Sequence, residues 1–295
     1  MKPIKGSIVA MVTPFKEDES VDFKRLEQTI EYQIKNGTDG ILVLGTTGES
    51  TTMTHEEDDE VALFTIEKVN GRIPVIVGAG SNSTQTQLEK SIKYSKMGAD
   101  ALLLISPYYN KANTQGMIRH FTVCADAVDC PVILYNIPGR TGCSISEEVV
   151  KVLSKHPNIC GIKEASGNIS YATSIARYLS DDFAMYSGND DMITSLLSIG
   201  ASGVISVLSN ILPKQTHDMV SLFHEGKVKE SLQLQLKYLD VIHALFCEVN
   251  PIPVKTALNL MGMNVGPLRM PLCEMEESNK ETLKKALQDF GIKLA

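Results

Sequence analysis

Positive charge is in short supply in this chain. Against 35 Asp and Glu it sets 28 Lys and Arg, a formal net charge of −7. Nucleic-acid binding depends on a surplus of cations over the phosphates, so that class of partner is disfavoured. A small anionic substrate needs only one or two local cations and stays open. Paired cysteine motifs are also missing. Cys124, Cys130, Cys143, Cys160, Cys247 and Cys273 include no CxxC spacing. Several sit in apolar runs, so they are expected to be buried thiols of a reducing, cytoplasmic compartment rather than a disulfide frame or a metal site. The six histidines form no i,i+4 pair, and HExxH, GxSxG and P-loop patterns do not occur. Metal hydrolysis, serine esterase chemistry and nucleotide chemistry are disfavoured accordingly.

Long apolar runs are lacking as well. Ile8–Val12, near the start, is too short for a secretory signal. The longest charge-free stretch, Met192–Pro213, carries seven Ser, Thr or Asn side chains, with Gly200 and Gly203 near its middle. A lipid span of about 20 residues needs a more continuous apolar run. The stretch reads as helix, turn, strand, and the chain is expected to be soluble, with no membrane partner.

What the sequence does contain is a series of short, near-continuous Val, Ile and Leu runs. They are Ser7–Val12, Gly40–Leu44, Pro74–Gly78, Ala101–Ile105, Pro131–Asn136, Ile159–Lys163, Phe183–Ser187 and Gly203–Val207. Such runs suit strands buried on both faces of a parallel sheet. Their starts lie 20 to 34 residues apart, enough for a helix and two loops, which is what a parallel crossover requires. Between them, Phe23, Leu26, Ile30 and Ile34 mark one helical face before Gly37. Thr54–Glu57 and Thr84–Gln87 fit capping boxes, and Asn70-Gly71 and Gly98 fit helix ends. Eight β-α units form either a closed (β/α)8 barrel or a doubly wound sheet. Gly78-Ala-Gly80-Ser-Asn-Ser83 is only a fragment of a dinucleotide fingerprint, with no acidic residue ending the next strand, so the α/β barrel is favoured. Residues 1–225 are expected to form the barrel, and residues 226–295 a C-terminal extension of two or three helices packed on it.

In such a barrel, chemistry sits at the carboxyl ends of the strands. Those ends read Gly45-Thr-Thr-Gly-Glu-Ser50, Ser106-Pro-Tyr-Tyr-Asn-Lys111, Tyr135-Asn-Ile-Pro-Gly-Arg-Thr-Gly142 and Lys163-Glu-Ala-Ser-Gly167. Lys163 would point into an apolar mouth, where desolvation favours the neutral amine, a nucleophile toward ketones. The alternative is an inward lysine neutralised by Glu164 or Glu49. Lys255 is a rival outside the strand series. Tyr135 is placed to shuttle protons, or is an amphipathic core tyrosine. Thr46 and Thr47 lie in a glycine-flanked turn able to hold a carboxylate, and Arg140 is either solvated or a carboxylate clamp. Tyr108-Tyr109 at a loop tip suggests a subunit interface.

These four motifs, in order, together with Asn250-Pro-Ile-Pro-Val-Lys255, resemble the dihydrodipicolinate synthase family over essentially the whole chain. The resemblance implies that Lys163 forms a Schiff base with pyruvate and that Tyr135 relays protons. Thr46 would connect Tyr135 to Tyr109 of a neighbouring subunit. Thr47 and the backbone around Ile205 would hold pyruvate, and Arg140 would receive the carboxylate of aspartate semialdehyde. No metal or organic cofactor is implied, because the lysine supplies the electron sink. A homotetramer built from tight dimers is implied. Sister aldolases acting on N-acetylneuraminate or 2-keto-3-deoxy sugar acids share the Lys and Tyr but tend to lack Arg140. A non-catalytic barrel would have lost the Lys or Tyr. In lysine-inhibited members, a loop resembling Ser50–Asp58 carries two histidines and a nearby helix a Glu. Here Ser50, His55 and Asn82 match, but Asp58 and Thr86 do not, so weak or absent inhibition by lysine is expected.

Overall fold

The structure, a computed structural model, describes residues 3–295. Eight parallel strands close into a barrel: β1 (Gly6–Ala10), β2 (Gly40–Val43), β3 (Val75–Gly78), β4 (Ala101–Ile105), β5 (Val132–Asn136), β6 (Ile159–Glu164), β7 (Ala184–Ser187) and β8 (Gly203–Ser206). β8 pairs back onto β1, with Ile8 opposite Ile205. Alternation of side chains divides each strand between two cores. Ile8, Leu42, Ile76, Leu103, Ile133 and Ile205 fill the barrel interior. Val9, Ile41, Val77, Leu104, Leu134 and Val204 pack outward against the helices. This two-sided burial explains why the strands read as unbroken apolar runs rather than as alternating ones.

Strand ends fall within two residues of the positions expected from the sequence. Leu44 leaves β2 because its backbone turns to φ 57°, a left-handed conformation that ends the strand and opens the Gly45–Glu49 turn. Thr54 forms the expected capping box with Glu57 at the head of helix His55–Val69. The second expected box is corrected. Helix Thr84–Met97 is capped by Ser83, whose side chain accepts from Thr86 N. Thr84 is already helical and bonds His120 Nδ1, while Gln87 Oε1 accepts from Ser81 N.

The cysteine expectation holds only in part. All six thiols are free, but only Cys124 and Cys160 are buried, and Cys247 and Cys273 are exposed. The neighbours of Cys247, Phe246 and Val249, are exposed too, so an apolar run in a connecting segment does not by itself mean burial. Beyond residue 226 there are four helices rather than two or three: Val228–Lys237, Leu239–Ala244, Ile252–Leu260 and Glu277–Asp289. Val241, Ile242, Val254, Leu258, Leu283 and Leu287 from these helices share one continuous core with the outer face of the barrel. Among the described residues, no helix is long and apolar enough to cross a membrane.

Candidate active site

Two neighbouring strands deliver the central pair. Tyr135 on β5 is in register with Lys163 on β6, so both side chains turn into the barrel mouth. Lys163 is 6% exposed, and its Nζ lies 4.5 Å from the centre of the Tyr135 ring. The glycine after β7 makes room for it, since a Cβ on Gly188 would meet Lys163 Cε at 3.1 Å and Ala165 Cβ at 2.5 Å. Among the described residues no ion pair includes Lys163. Glu49 is taken by Lys255 at 2.8 Å. Glu164, facing away from the mouth, accepts from Asn136 Nδ2 at 2.7 Å and from the Ser166 hydroxyl. Both carboxylates that might have neutralised Lys163 are therefore engaged elsewhere. Burial disfavours the ammonium and brings the Lys163 pKa down to about 8; Asp190 pulls it back up, and Arg140 adds to the fall. An appreciable share of free amine exists near neutral pH as a result.

Burial also pushes the Tyr135 hydroxyl up to about 12, against smaller lowering effects of Arg140 and Thr46. The side chain is thus a phenol, able to hand on a proton and take it back, rather than a standing phenolate. Thr46 and Thr47 lie in a single 3-10 turn, Thr46–Gly48, directly after β2. That turn is flanked by two left-handed residues, Leu44 and Glu49. Close approach of its backbone to β3 requires a glycine there, because a Cβ on Gly78 would meet Leu44 O at 2.2 Å. Arg140 sits in the short helix Pro138–Thr141, where it is exposed, and its Nη2 donates to Asn250 O at 2.8 Å.

A cavity of about 260 Å³ opens over these residues, lined by Thr46, Tyr108, Tyr135, Arg140, Gly78 and Gly80 among others. Lys163 is not part of that lining; its amine lies against the ring of Tyr135, which is. Ile205 is on β8 in the barrel interior. The structure therefore gathers Lys163, Tyr135, Thr46, Thr47 and Arg140 around one mouth. It does not bring Tyr109 there. That residue is 92% exposed with φ 69°, and its loop is tied to Asn82, whose Nδ2 donates to Tyr108 O.

Lys255, the rival lysine, is 1% exposed and also donates to Thr13 O at 3.2 Å and Pro267 O at 2.5 Å. Its nitrogen is fully employed in holding structure. Among the described residues no three His, Cys, Asp or Glu side chains converge as metal ligands.

Two residues of the site lay outside the sequence reading. Asp190, after β7, is buried, accepts from Val207 N at 3.0 Å and Leu208 N at 2.8 Å, and is the charge that acts most on Lys163. The strand-end rule applies equally to Gly188–Asp191, so a signal for it existed. Asn250 enters the sequence analysis only as part of the Asn250–Lys255 motif and without a role, because it is 203 positions from the threonine it contacts.

The sequence pattern of the dihydrodipicolinate synthetase family matches residues 3–290. The chain is similar to the 4-hydroxy-tetrahydrodipicolinate synthase of Caldicellulosiruptor saccharolyticus, with 53% identity over 294 residues covering 100% of this chain and 99% of that one. It is similar to the enzyme of the same name from Clostridium tetani, with 52% identity over 293 residues and 99% of each chain covered. Among solved structures, it resembles the chloride-inhibited dihydrodipicolinate synthase of Acinetobacter baumannii complexed with pyruvate. The identity there is 42% and the TM-score 0.96, with 99% of this chain and 100% of that chain covered. With its closed barrel, its unpaired strand-end lysine and this match along nearly its full length, the chain belongs to the dihydrodipicolinate synthetase family.

Proposed function

We propose that this chain catalyses the 4-hydroxy-tetrahydrodipicolinate synthase reaction, condensing pyruvate with aspartate semialdehyde through a Schiff base on Lys163. The observation that carries this reading is a buried amine with no ionic partner, shifted to a pKa of about 8 and set against a tyrosine ring. The neutral Lys163 nitrogen adds to the keto carbon of pyruvate, and loss of water leaves an iminium, an electron sink for the adjacent methyl group. Tyr135 relays the methyl proton away, giving an enamine carbon that attacks the aldehyde. The alkoxide so formed takes up a proton. The substrate's own amine then adds to the iminium carbon, displaces Lys163 as free amine and closes the ring.

The remaining residues have places in this scheme. Thr47, with the backbone around Ile205, holds the pyruvate carboxylate, and Arg140 receives the carboxylate of the aldehyde. Thr46 passes protons between Tyr135 and Tyr109 of a second copy. A residue 92% exposed and held in a left-handed conformation is well presented for insertion into a neighbour. This supports assembly as a homotetramer built from tight dimers. Six free thiols and a family role in making lysine and diaminopimelate suit the cytoplasm. Inhibition by lysine is expected to be weak. Asp58, fully buried, is already neutralised by the chain's own Lys90 at 2.7 Å and accepts from Ser50 Oγ at 3.1 Å.

Borohydride reduction in the presence of pyruvate, followed by peptide mapping, tests the central step. The expected result is a single modified peptide containing Lys163. Labelling of Lys255 instead, or no pyruvate-dependent labelling, would remove the basis of the reading.

A further inference from the structure

The helix Ile252–Leu260 belongs to the C-terminal segment, yet the residue leading into it reaches the barrel mouth. Asn250 is 7% exposed. Its Nδ2 donates to Thr47 Oγ1 at 3.0 Å, and its main-chain oxygen accepts from Arg140 Nη2 at 2.8 Å. Its Oδ1 is buried with no partner. We propose that Asn250 is a positioning residue for the condensation, because its one side-chain bond fixes which way the Thr47 hydroxyl points while its backbone carbonyl anchors Arg140. This inference rests on the reading of Thr47 and Arg140 as the groups that hold the two substrate carboxylates.

Hydrogen-bond direction at Thr47 decides what its hydroxyl can hold. A threonine hydroxyl has one hydrogen to give and lone pairs to receive. An amide N–H donating into the Thr47 oxygen occupies a lone pair, so the hydroxyl hydrogen must be directed elsewhere. A carboxylate bound in the mouth is the acceptor that meets it, and a charged acceptor makes the stronger bond. Were the amide turned over, Oδ1 would compete with that carboxylate for the same hydrogen. Leaving a buried amide oxygen unpaired costs free energy that an apolar side chain of similar size would avoid. The side chain's contribution is therefore the bond made by Nδ2. On the other side, fixing one guanidinium nitrogen of Arg140 leaves the remaining donors free to grip a second carboxylate. Asn250 thus sets the separation of the two anion-holding groups, although the catalytic lysine and tyrosine are carried by other elements.

The test uses the full-length enzyme and four variants: Asn250→Ala, the near-isosteric Asn250→Asp, Thr47→Val, and Asn250→Ala combined with Thr47→Val. Kinetic constants for both substrates are measured, with thermal unfolding and borohydride trapping at saturating pyruvate alongside. Asn250→Ala is expected to raise the KM for pyruvate about tenfold, with kcat changed much less. Asn250→Asp, which turns the donor into an acceptor, is expected to raise it at least as much. In the Thr47→Val background the alanine substitution is expected to add less than about twofold, because the acceptor it acts through has gone. Unchanged KM values in both Asn250 single variants would overturn the proposal. So would an undiminished tenfold loss in the Thr47→Val background, which marks a general structural role. Failure of the parent enzyme to be trapped at Lys163 would instead defeat the underlying functional reading.

Discussion

Lys163 and Lys255 are both buried lysines near the same end of one barrel, and their surroundings are opposite. Lys255 donates to a carboxylate and two carbonyls and lies 4.3 Å from the Phe15 ring centre. Lys163 has only the Tyr135 ring beneath it and the more distant charge of Asp190. Burial lowers the pKa of each, and at Lys255 the charge of Glu49 and the hydrogen bond to it offset only part of that fall. Burial alone does not make a nucleophile. What matters is that the lone pair of Lys163 is not committed, whereas Lys255 is occupied in tying Glu49 and the turn before it to the C-terminal segment.

The largest expected effect is at Lys163. Lys163→Met should lower turnover by on the order of 10⁴-fold or more, the scale on which covalent nucleophiles matter. It should leave thermal stability unchanged or higher, since a poorly solvated amine is removed. Retained turnover, or marked destabilisation, would mean that the lysine is structural. Next comes Lys255→Met, which leaves the buried Glu49 without its cation and with only the Arg269 amide donating to it. Denaturant unfolding should show a loss of about 3–5 kcal/mol, while turnover per folded molecule falls far less than at Lys163. A loss below about 1 kcal/mol would show that the pair holds little together.

The pH dependence sharpens the contrast further. Only the unprotonated amine adds to pyruvate, so at subsaturating pyruvate the rate of trappable imine formation should rise with pH. The rise should be about tenfold per unit well below the pKa and level off near about 8. A midpoint near the ordinary lysine value would contradict the desolvation argument. The smallest expected effect concerns Lys90, a third inward lysine, which is paired with Asp58. Free lysine at millimolar concentration should leave the initial rate within about twofold, and micromolar inhibition would show that Lys90 yields its place.

Much of the fold was legible in the amino-acid order because strand burial on both faces writes itself as apolar runs. The eight strand positions followed from that alone. The helices beyond residue 226 were less legible, since Leu239–Ala244 spans fewer than two turns and repeats its apolar face too little to stand out. The head of helix Thr84–Met97 was misread by one residue, since Ser83 and Thr84 are equally good caps by type. At the site, Lys163 and Tyr135 stood out as polar residues ending apolar strands. Their neighbourhood was expected as well, since consecutive strands of such a barrel lie side by side; the register that sets Tyr135 directly opposite Lys163 was not. Asp190 was readable by the same strand-end rule. Asn250 was not, as nothing local distinguishes an asparagine that caps a loop from one that reaches across the barrel to Thr47.

Sequence by itself determined the (β/α)8 class and the ordered polar segments at the strand ends, because periodicity and turn chemistry act over a few neighbouring residues. Only the tertiary structure decided which lysine keeps a free lone pair. In chain position Glu49 is nearer to Lys163 than to Lys255; its choice of Lys255 is made by chain closure, which brings residues 206 positions apart to 2.8 Å. Charge pairing in a desolvated interior is settled by distance in space, and that is a quantity sequence separation does not carry.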